Sequence, residues 1–338
     1  SQEDVRAISL PFDAVIAVTY RCNARCLMCN IWQTEDAGDL DVAFLERLPV
    51  SLRYVNLSGG EPFLRKDLPE LVAAVNQASP RAEIIISTNA LVSGKRIRET
   101  MAGIRQNDDR VGLAVSIDGM GETHDRIRGV PGAFDKAVDI IRRLKEDGMT
   151  NLRIAFTVVD ENVKDYFAVY RLSRDLGIEF TSAIAQGSSH YFRNTRFSPV
   201  DADVLRDQLN HVATSELGTS KPKRWARAYF NRGLYLFARG GGRPLSCRAA
   251  DDFFFLSPEG TVYTCNVLDL PLGSLRESTF EEIWNSEEAI EGRKQVHACG
   301  MGCWMVCTAR SSMKRNPLKV ASWVAAGKTK VALKKPVL

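Results

Sequence analysis

The sequence predicts an α/β protein with a parallel sheet, and two observations carry this prediction. Short apolar runs rich in β-branched residues alternate six times with longer stretches of helical periodicity, and strands that are regularly followed by helices form parallel sheets through right-handed crossovers. The chain has 338 residues, of which 45% are hydrophobic. That is enough to bury one large α/β core and a smaller appendage.

The six repeating units can be assigned along the chain. Strands are predicted at 14–19, 53–57, 83–87, 112–117, 152–159 and 178–184. Helices are predicted at 41–48, 67–78, 95–105, 134–147, 163–176 and 201–216. Asp41 and Asp67 precede two of these helices and are typical N-cap residues, because an aspartate side chain accepts hydrogen bonds from the free N–H groups at a helix start.

Charge and cysteine content narrow the class of protein. The net charge is +4, but residues 311–338 carry seven Lys or Arg and no acid, so the rest of the chain is slightly acidic. This distribution argues against nucleic acid as the main substrate. We find neither an 18-residue apolar span nor a signal peptide and therefore expect a cytoplasmic protein. In that setting the eight cysteines favour reduced thiols that act as ligands over disulfides.

Three cysteines lie close together directly after the first predicted strand. Cys22, Cys26 and Cys29 fall within eight residues, on a loop at the carboxyl end of the strand, where α/β folds place their chemistry. Three closely spaced thiolates suit one face of an iron–sulfur cube and leave the fourth iron open. A zinc clip or a disulfide pair is the alternative. Zinc would need a fourth ligand, and the nearest histidine in sequence is His124.

Polar residues follow the next three strands at their carboxyl ends. Ser58–Pro62 forms a Gly-Gly-Glu-Pro turn whose backbone groups and Glu61 could hold an ammonium group. Residues 87–89 read Ser-Thr-Asn, and Ser116 and Asp118 end the fourth strand. Small hydroxyls and a carboxylate suit ribose hydroxyls, and the guanidinium of Arg128 suits a carboxylate. Asp118 and His124 are equally consistent with structural caps.

The Cys-x3-Cys-x2-Cys loop, the Gly-Gly-Glu-Pro turn and the run Ser-x-Asp-Gly…His-Asp-x-x-Arg-Gly together resemble the radical S-adenosylmethionine (SAM) superfamily. The resemblance implies a partial (β/α)6 TIM-type barrel. It also implies that Cys22, Cys26 and Cys29 hold a [4Fe–4S] cluster whose open iron binds SAM. In this family an electron from the cluster cleaves SAM to methionine and a 5′-deoxyadenosyl radical, which abstracts a hydrogen atom from the substrate.

The same resemblance assigns the SAM contacts. It implies that the Gly-Gly-Glu-Pro turn contacts the amino group, Ser116 the ribose and Arg128 the carboxylate. Met28 stands where the family usually has an aromatic residue near the adenine. The full set of implied contacts is Tyr20, Met28, Ser58, Gly59, Gly60, Glu61, Pro62, Ser87, Thr88, Asn89, Ser116, Asp118 and Arg128.

The C-terminal third carries the other five cysteines. A linker at 240–246 leads to two β-rich runs around Pro258-Glu259-Gly260, which predict a hairpin, and to a helical stretch at 279–291. The spacing Cys-x12-Gly-x4-Cys resembles the SPASM and twitch extensions of the superfamily, and five cysteines imply one auxiliary [4Fe–4S] cluster. The predicted ligands are Cys247, Cys265, Cys303 and Cys307, with Cys299 as spare thiol or alternative ligand. A structural zinc knuckle is the alternative.

These assignments predict three segments and a reaction class. Residues 10–235 form the radical SAM core, 240–310 the small hairpin and helix domain that binds the auxiliary cluster, and 311–338 a basic tail. Abstraction of a hydrogen atom is expected to lead to oxidation of an alcohol or to epimerisation, with Cys299 as a candidate hydrogen-atom donor. His190, in the polar loop at 185–200, is expected to border the substrate.

The expected substrate is a sugar, aminocyclitol or glycolipid. Peptide-modifying relatives often carry a peptide-binding domain before the barrel, and only 21 residues precede Cys22. A molybdenum-cofactor cyclase is disfavoured by the absence of its terminal Gly-Gly and its cysteine spacing. The alternatives are a peptide-modifying enzyme that matures ribosomal peptides, or a non-catalytic iron–sulfur or zinc protein. The expected reductant is a flavodoxin or a ferredoxin.

The tail at 311–338 interleaves basic and apolar residues. Pro317 suits the first turn of a helix, and Gly327 is expected to interrupt it. A basic amphipathic segment with a tryptophan can lie in the interface of an anionic membrane, which would suit a lipid-linked substrate. The alternative is a helix that packs on the barrel.

Overall fold

The computed structural model describes residues 9–34, 38–195 and 199–338, which form one nine-stranded sheet flanked by helices. The strands are β1 (Asp13–Thr19), β2 (Tyr54–Gly59), β3 (Glu83–Thr88), β4 (Gly112–Ser116), β5 (Leu152–Val158), β6 (Glu179–Ile184), β7 (Phe253–Leu256), β8 (Thr261–Tyr263) and β9 (Pro271–Ser274). Their order is β6-β5-β4-β3-β2-β1-β7-β8-β9. The pairs from β6 through β1 to β7 are parallel, and β8 and β9 are antiparallel additions.

Helices connect and cover the strands. They are α1 (Val42–Leu45), α2 (Leu68–Ala78), α3 (Gly94–Asn107), α4 (Glu122–Arg128), α5 (Ala133–Glu146), α6 (Tyr166–Asp175), α7 (Ala202–Leu217), α8 (Pro222–Ala238), α9 (Phe280–Trp284), α10 (Glu287–Ala298), α11 (Val306–Arg315) and α12 (Pro317–Ala332). Asp41 caps α1 as predicted, since its side chain accepts a hydrogen bond from the N–H of Ala43. Asp67 precedes α2 without capping it, because its carboxylate pairs with Arg65.

The predicted fold class is confirmed, and all six predicted strands are present. Strand β5 shows how the barrel wall is built. Leu152, Ile154, Phe156 and Val158 are buried, whereas Arg153, Ala155 and Thr157 are only half-buried and line a cavity inside the barrel. This alternation follows from the two-residue period of a strand, which sends successive side chains to the helices and to the barrel interior.

Three helices, α4, α8 and α11, were missed, and one predicted helix is divided. Helix α4 is short, and α8 is rich in basic residues and contains Gly233, which lowers its apparent helix propensity. Gly233 is required by packing, because a Cβ there would lie 2.2 Å from the indole nitrogen of Trp304. The helix predicted at 279–291 ends at α9 and starts again at α10, where Ser286 accepts a hydrogen bond from the N–H of Ala289.

The C-terminal segment extends the barrel sheet. Strand β7 pairs with β1 in register from Asp13↔Phe253 to Ile16↔Leu256, and β7 is fully buried. The predicted hairpin is confirmed, since β7 and β8 pair antiparallel around Pro258–Gly260. Gly260 has φ +87°, and a Cβ there would lie 2.7 Å from the ring of Phe44. The segment that carries the auxiliary cysteines is thus anchored directly to the first strand of the barrel.

The tail packs on the barrel through α12. Pro317 occupies the first turn of this helix, as predicted. Gly327 does not interrupt the helix. A Cβ at this position would lie 2.8 Å from Leu217, so the glycine allows α12 to approach α7 closely. Trp323 packs edge-on against Tyr229 of α8. In the described part of the chain, no helix is both long and apolar enough to cross a membrane.

Candidate active site

The cysteine loop is held by the end of α4. The N–H groups of Arg25 and Leu27 donate to the carbonyls of Arg128 and Ile127, each at 2.9 Å. Gly129 follows with φ +66°, and a Cβ there would lie 2.7 Å from the carbonyl oxygen of Arg25. These backbone contacts fix the loop between the first and third cysteines. This role of α4 was not predicted, because the helix itself was not predicted.

The Gly-Gly-Glu-Pro turn packs against the end of β1. The N–H of Gly60 donates to Thr19 at 2.7 Å, and the N–H of Glu61 donates to Arg21 at 2.8 Å. A Cβ on Gly60 would lie 2.0 Å from the carbonyl oxygen of Arg21, and Gly59 has φ +114°. The glycines therefore allow the two backbone segments to approach each other closely, whether or not a ligand also approaches the turn.

The carboxylate of Glu61 links the turns that follow β2 and β3. It is fully buried and accepts hydrogen bonds from the N–H groups of Phe63 (3.1 Å) and Asn89 (2.7 Å) and from the hydroxyl of Thr88 (2.9 Å). Burial raises the pKa of Glu61 to about 7, against the lowering effect of these donors. Both oxygens are engaged by protein groups, so the carboxylate positions the two turns.

Arg128 is oriented by Asp118 at the barrel wall. Its Nη2 lies 2.5 Å from the buried carboxylate of Asp118, and its Nη1 lies 3.5 Å from the sulfur of Cys26. Its Nε makes no hydrogen bond to a described residue. His124 accepts a hydrogen bond from the N–H of Asp118 at 2.9 Å, and burial lowers its pKa to about 3. His124 is therefore a neutral structural acceptor, and Arg128 is a cation that lines the cavity close to the cysteine loop.

One cavity of about 1380 Å³ collects most of the predicted site residues. The predicted site residues in its lining are Cys22, Cys26, Met28, Cys29, Ser58, Gly59, Gly60, Ser87, Thr88, Asn89, Ser116 and Arg128. Four predicted SAM contacts lie behind this lining, namely Tyr20, Glu61, Pro62 and Asp118. Burial raises the pKa of Cys22 to about 11 and that of Cys29 to about 12, so a bound metal would have to stabilise their thiolates.

The loop after β6 closes over the cysteine loop. The hydroxyl of Tyr191 lies 2.9 Å from that of Ser58, and the carbonyl of Phe192 accepts a hydrogen bond from the N–H of Asn30 at 2.9 Å. Gln186, Tyr191 and Phe192 line the cavity, and contact of this loop with substrate stays a prediction. Residues 196–198 of the predicted loop lie outside the described residues.

His190 lies on the other side of this loop. Its ring stacks on Tyr263 with centroids 4.4 Å apart, and its Nε2 lies 3.0 Å from the carbonyl oxygen of Cys265. Burial lowers the pKa of His190. His190 does not line the cavity, and it joins the loop to the hairpin that carries Cys265. Its predicted contact with substrate stays a prediction.

The five C-terminal cysteines divide into two surroundings. Burial raises the pKa of Cys303 to about 12, and the neighbouring thiols of Cys247, Cys265 and Cys299 add to this effect. Cys307 is buried in the apolar cluster beside the barrel, against which Cys247 and Cys265 also pack, and of these five cysteines it alone lines the cavity. Among the described residues no three metal-binding side chains already converge on one point. The positions of the loops therefore carry the ligand assignment, which stays a prediction.

Comparisons with known proteins agree with this architecture. Residues 16–172 match the family described as Radical SAM superfamily, and residues 247–307 match the SPASM family, an iron-sulfur cluster-binding domain. The mycofactocin maturase MftC of Mycobacterium tuberculosis is 32% identical over 314 residues, covering 87% of this chain and 75% of the relative. The AdoMet-dependent heme synthase of Oleidesulfovibrio alaskensis is 27% identical over 298 residues, covering 80% and 74%.

Solved structures share the fold. The structure described as native anSMEcpe with bound AdoMet has a TM-score of 0.60 and 16% sequence identity, and the match covers 94% of this chain and all of the other. Two domain families match the segments that carry the two groups of cysteines. The chain therefore belongs to the radical SAM superfamily and carries a SPASM domain, which implies SAM and two iron–sulfur clusters as its cofactors.

Proposed function

We propose that this radical SAM enzyme oxidises or epimerises a carbinol carbon of a sugar, cyclitol or glycolipid bound in the barrel cavity. One observation carries the proposal. The same cavity extends from the cysteine loop to Asn266, which directly follows Cys265 of the second cysteine group. When bound, the first cluster and SAM supply reductive SAM cleavage and a hydrogen-abstracting radical, and the second cluster supplies an electron acceptor.

The side chains of the barrel wall support a hydroxyl-bearing substrate. Away from the predicted SAM contacts, the cavity lining includes charged side chains such as Glu83, Arg153 and Arg227, and also neutral hydrogen-bonding groups. The neutral groups are Asn56, Thr181, Ser182, Gln186, Asn231 and Asn266. Each can pair with a hydroxyl group without a net charge. Together with the apolar parts of the wall they would orient one C–H bond and exclude water from the reacting carbon.

The two reaction classes differ in what the protein must supply. Oxidation removes a hydrogen atom from carbon, a proton from the hydroxyl and one electron, and it yields a ketone. Epimerisation needs a thiol that returns a hydrogen atom to the opposite face. The predicted donor was Cys299, but Cys307 is the C-terminal cysteine that lines the cavity. We therefore propose Cys307 for that role and Cys247, Cys265, Cys299 and Cys303 as the auxiliary ligands.

Peptide modification is the second candidate. It is favoured by the 32% identity to a mycofactocin maturase over 87% of the chain. A structural neighbour with a TM-score of 0.57 is described as holding AdoMet and the Cp18Cys peptide. Heme synthases match over a similar share of the chain at 27% identity. Sequence identity at this level therefore does not distinguish a peptide substrate from other substrate classes, and product analysis is needed to do so.

Product analysis tests the proposal. The reconstituted enzyme, SAM and dithionite are incubated in D2O with a sugar, a cyclitol or a peptide, and 5′-deoxyadenosine and substrate masses are measured. A ketone with unchanged turnover in Cys307→Ala indicates a dehydrogenase. Deuterium at the reacting carbon, with turnover lost in Cys307→Ala, indicates an epimerase. Modification of the peptide alone would overturn the carbinol proposal, and absence of 5′-deoxyadenosine would favour a non-catalytic cluster protein.

Contact of the tail with an anionic membrane is a further part of this proposal. Trp323 packs on the barrel, so the exposed leucines of the tail, Leu318 and Leu333, would have to carry the apolar contact beside their basic neighbours. Binding should be strong at low salt and weak at high salt, because each basic residue contributes about 1 kcal/mol on an anionic surface. Flotation with anionic vesicles tests this. A full-length chain that stays with the soluble fraction at low salt would rule it out.

A flavodoxin or ferredoxin remains the proposed reductant.

A further inference from the structure

Two buried asparagines in the cavity hold polar atoms without partners. Asn231 of α8 is 4% exposed, and Asn266, which follows Cys265, is 5% exposed. Both line the cavity. The Nδ2 of Asn231 and the Oδ1 of Asn266 make no hydrogen bond to any residue that the structure describes. Buried amide groups are nearly always paired, because an unpaired group loses its hydrogen bonds to water without compensation.

The two amides come from opposite sides of the barrel opening. In the described sheet β6 is an edge strand that does not pair with β1, and helix α11, which contacts both strands, lies at this opening of the barrel. Asn231 lies on the β6 side, where its Oδ1 is 3.4 Å from the hydroxyl of Tyr166, which bonds Ser182 of β6 at 2.7 Å. Asn266 lies on the β1 side, beyond the hairpin that β7 and β8 add to the sheet.

The free atoms specify the chemistry of the ligand. Because the hydroxyl of Tyr166 donates to the Oδ1 of Asn231, the remaining group on that side is an N–H donor. The remaining group of Asn266 is a carbonyl acceptor. A carboxylate or phosphate would pair with the first and leave the second unpaired. A neutral compound with an oxygen acceptor and an O–H or N–H donor would satisfy both.

We propose that Asn231 and Asn266 bind the substrate across the barrel opening. Asn231 donates to a neutral oxygen of the substrate, and Asn266 accepts from one of its O–H or N–H groups. The inference rests on the proposed function, because it takes the cavity as the substrate site. Hydroxyls of a polyol and amides of a peptide share this chemistry, so the experiment needs one probe of each kind.

The test uses the reconstituted holoenzyme and two deuterated probes, perdeuterated myo-inositol and a perdeuterated, N-acetylated and C-amidated tetra-alanine. Deuterium that appears in 5′-deoxyadenosine reports hydrogen abstraction from the probe. In Asn231→Leu and Asn266→Leu, transfer from the active probe at subsaturating concentration should fall by about tenfold or more, the usual cost of leaving one buried hydrogen bond unmade. SAM cleavage without probe should stay within about twofold of wild type, since in the described part of the chain no hydrogen bond joins either side chain to the predicted SAM contacts.

Asn76→Leu is the matched control. Asn76 lies on α2, its Oδ1 is also buried without a hydrogen-bond partner among the described residues, and it does not line the cavity. This variant should transfer deuterium as wild type does. Melting temperature adds an independent readout, because replacing the unpaired amide of Asn266 by leucine should leave the unliganded protein as stable as before or more so.

Each outcome decides the inference. Reduced transfer with intact SAM cleavage and unchanged stability supports it, and the more active probe identifies a polyol or a peptide. Unchanged transfer in both variants, a joint loss of transfer and probe-free SAM cleavage, or lack of transfer from either probe in an active wild-type enzyme overturns it. Absence of 5′-deoxyadenosine from the wild-type enzyme is distinguishable from these results, because it overturns the proposed function and this inference with it.

Discussion

The two groups of cysteines are held by the fold in different ways. Cys22, Cys26 and Cys29 lie on one short loop whose backbone is bonded to the end of α4 and whose flank is bonded to the turn after β2. The cysteines of residues 247–307 come from separate places, which are a linker, the end of a hairpin, the end of α10 and the start of α11.

This difference explains why the ligands of the first cluster can be assigned from a short sequence motif and those of the second cluster cannot. In the first group the chain spacing alone limits how far the thiols can separate, so the motif defines the site. In the second group, helix α11 carries Cys307 into the barrel cavity, while Cys299 is bonded through its carbonyl to Arg243 at 2.6 Å. A site assembled from distant segments can be specified only by the packing that joins them.

The largest expected effect separates the two groups by function. Triple replacement of Cys22, Cys26 and Cys29 by alanine should abolish SAM cleavage and remove about half the iron, because this group directly contacts the predicted SAM-binding residues Asn89 and Arg128. Cys247→Ala with Cys265→Ala should also remove about half the iron but leave uncoupled SAM cleavage. Iron and 5′-deoxyadenosine assays measure both. Equal loss of cleavage in the two variants, or zinc in place of iron, would contradict the division.

Replacement of Arg128 tests whether SAM binding at the first cysteine group also depends on a neighbouring side chain. Arg128→Ala should weaken SAM binding by about tenfold or more, since charge-assisted hydrogen bonds to a carboxylate are among the stronger polar contacts. Iron content should be unchanged. Arg126→Ala on the exposed face of α4 is the control. Equilibrium binding of SAM measures the effect, and equal affinity of both variants would place the carboxylate contact elsewhere.

Single replacements within the second group sharpen its ligand set. We expect Cys299→Ala to lower the iron bound at the auxiliary site and Cys307→Ala to leave it unchanged, because Cys307 lines the barrel cavity and Cys299 does not. Iron content and the electronic spectrum of the reconstituted variants measure this. Loss of iron in Cys307→Ala but not in Cys299→Ala would favour the ligand set predicted from the sequence, which contains Cys303 and Cys307.

The smallest effect concerns the pH dependence of stability next to the second group. Asp13 faces Arg310 at 3.3 Å, and burial raises its pKa from 3.8 to about 7. Between about pH 4 and pH 7 the folded chain therefore binds a proton that the unfolded chain has lost, so the free energy of unfolding falls as pH rises through this interval. Asp13→Asn should flatten the profile. Urea unfolding at pH 5 and pH 7.5 measures it, and an unchanged slope would show that the carboxyl is ionised.

The sequence by itself determined the parallel sheet, the first cysteine loop and most of the residues around it. Hydrophobic periodicity located all six barrel strands, and the carboxyl ends of parallel strands meet at one edge, so Ser58, Ser87 and Ser116 had to lie together. These features depend on local patterns and on one rule of chain topology, and both can be applied without coordinates.

The tertiary structure decided what depends on contacts between distant segments. Glu61 was predicted only as a ligand contact, and the structure adds that its carboxylate links two turns inside the protein. Gly327 was expected to break a helix, and it allows α12 to pack on α7. The positions of Cys307, Asn231 and Asn266 in one cavity likewise depend on contacts between distant segments. The burial and partners of a side chain depend on segments far away in the chain, and no local pattern records them.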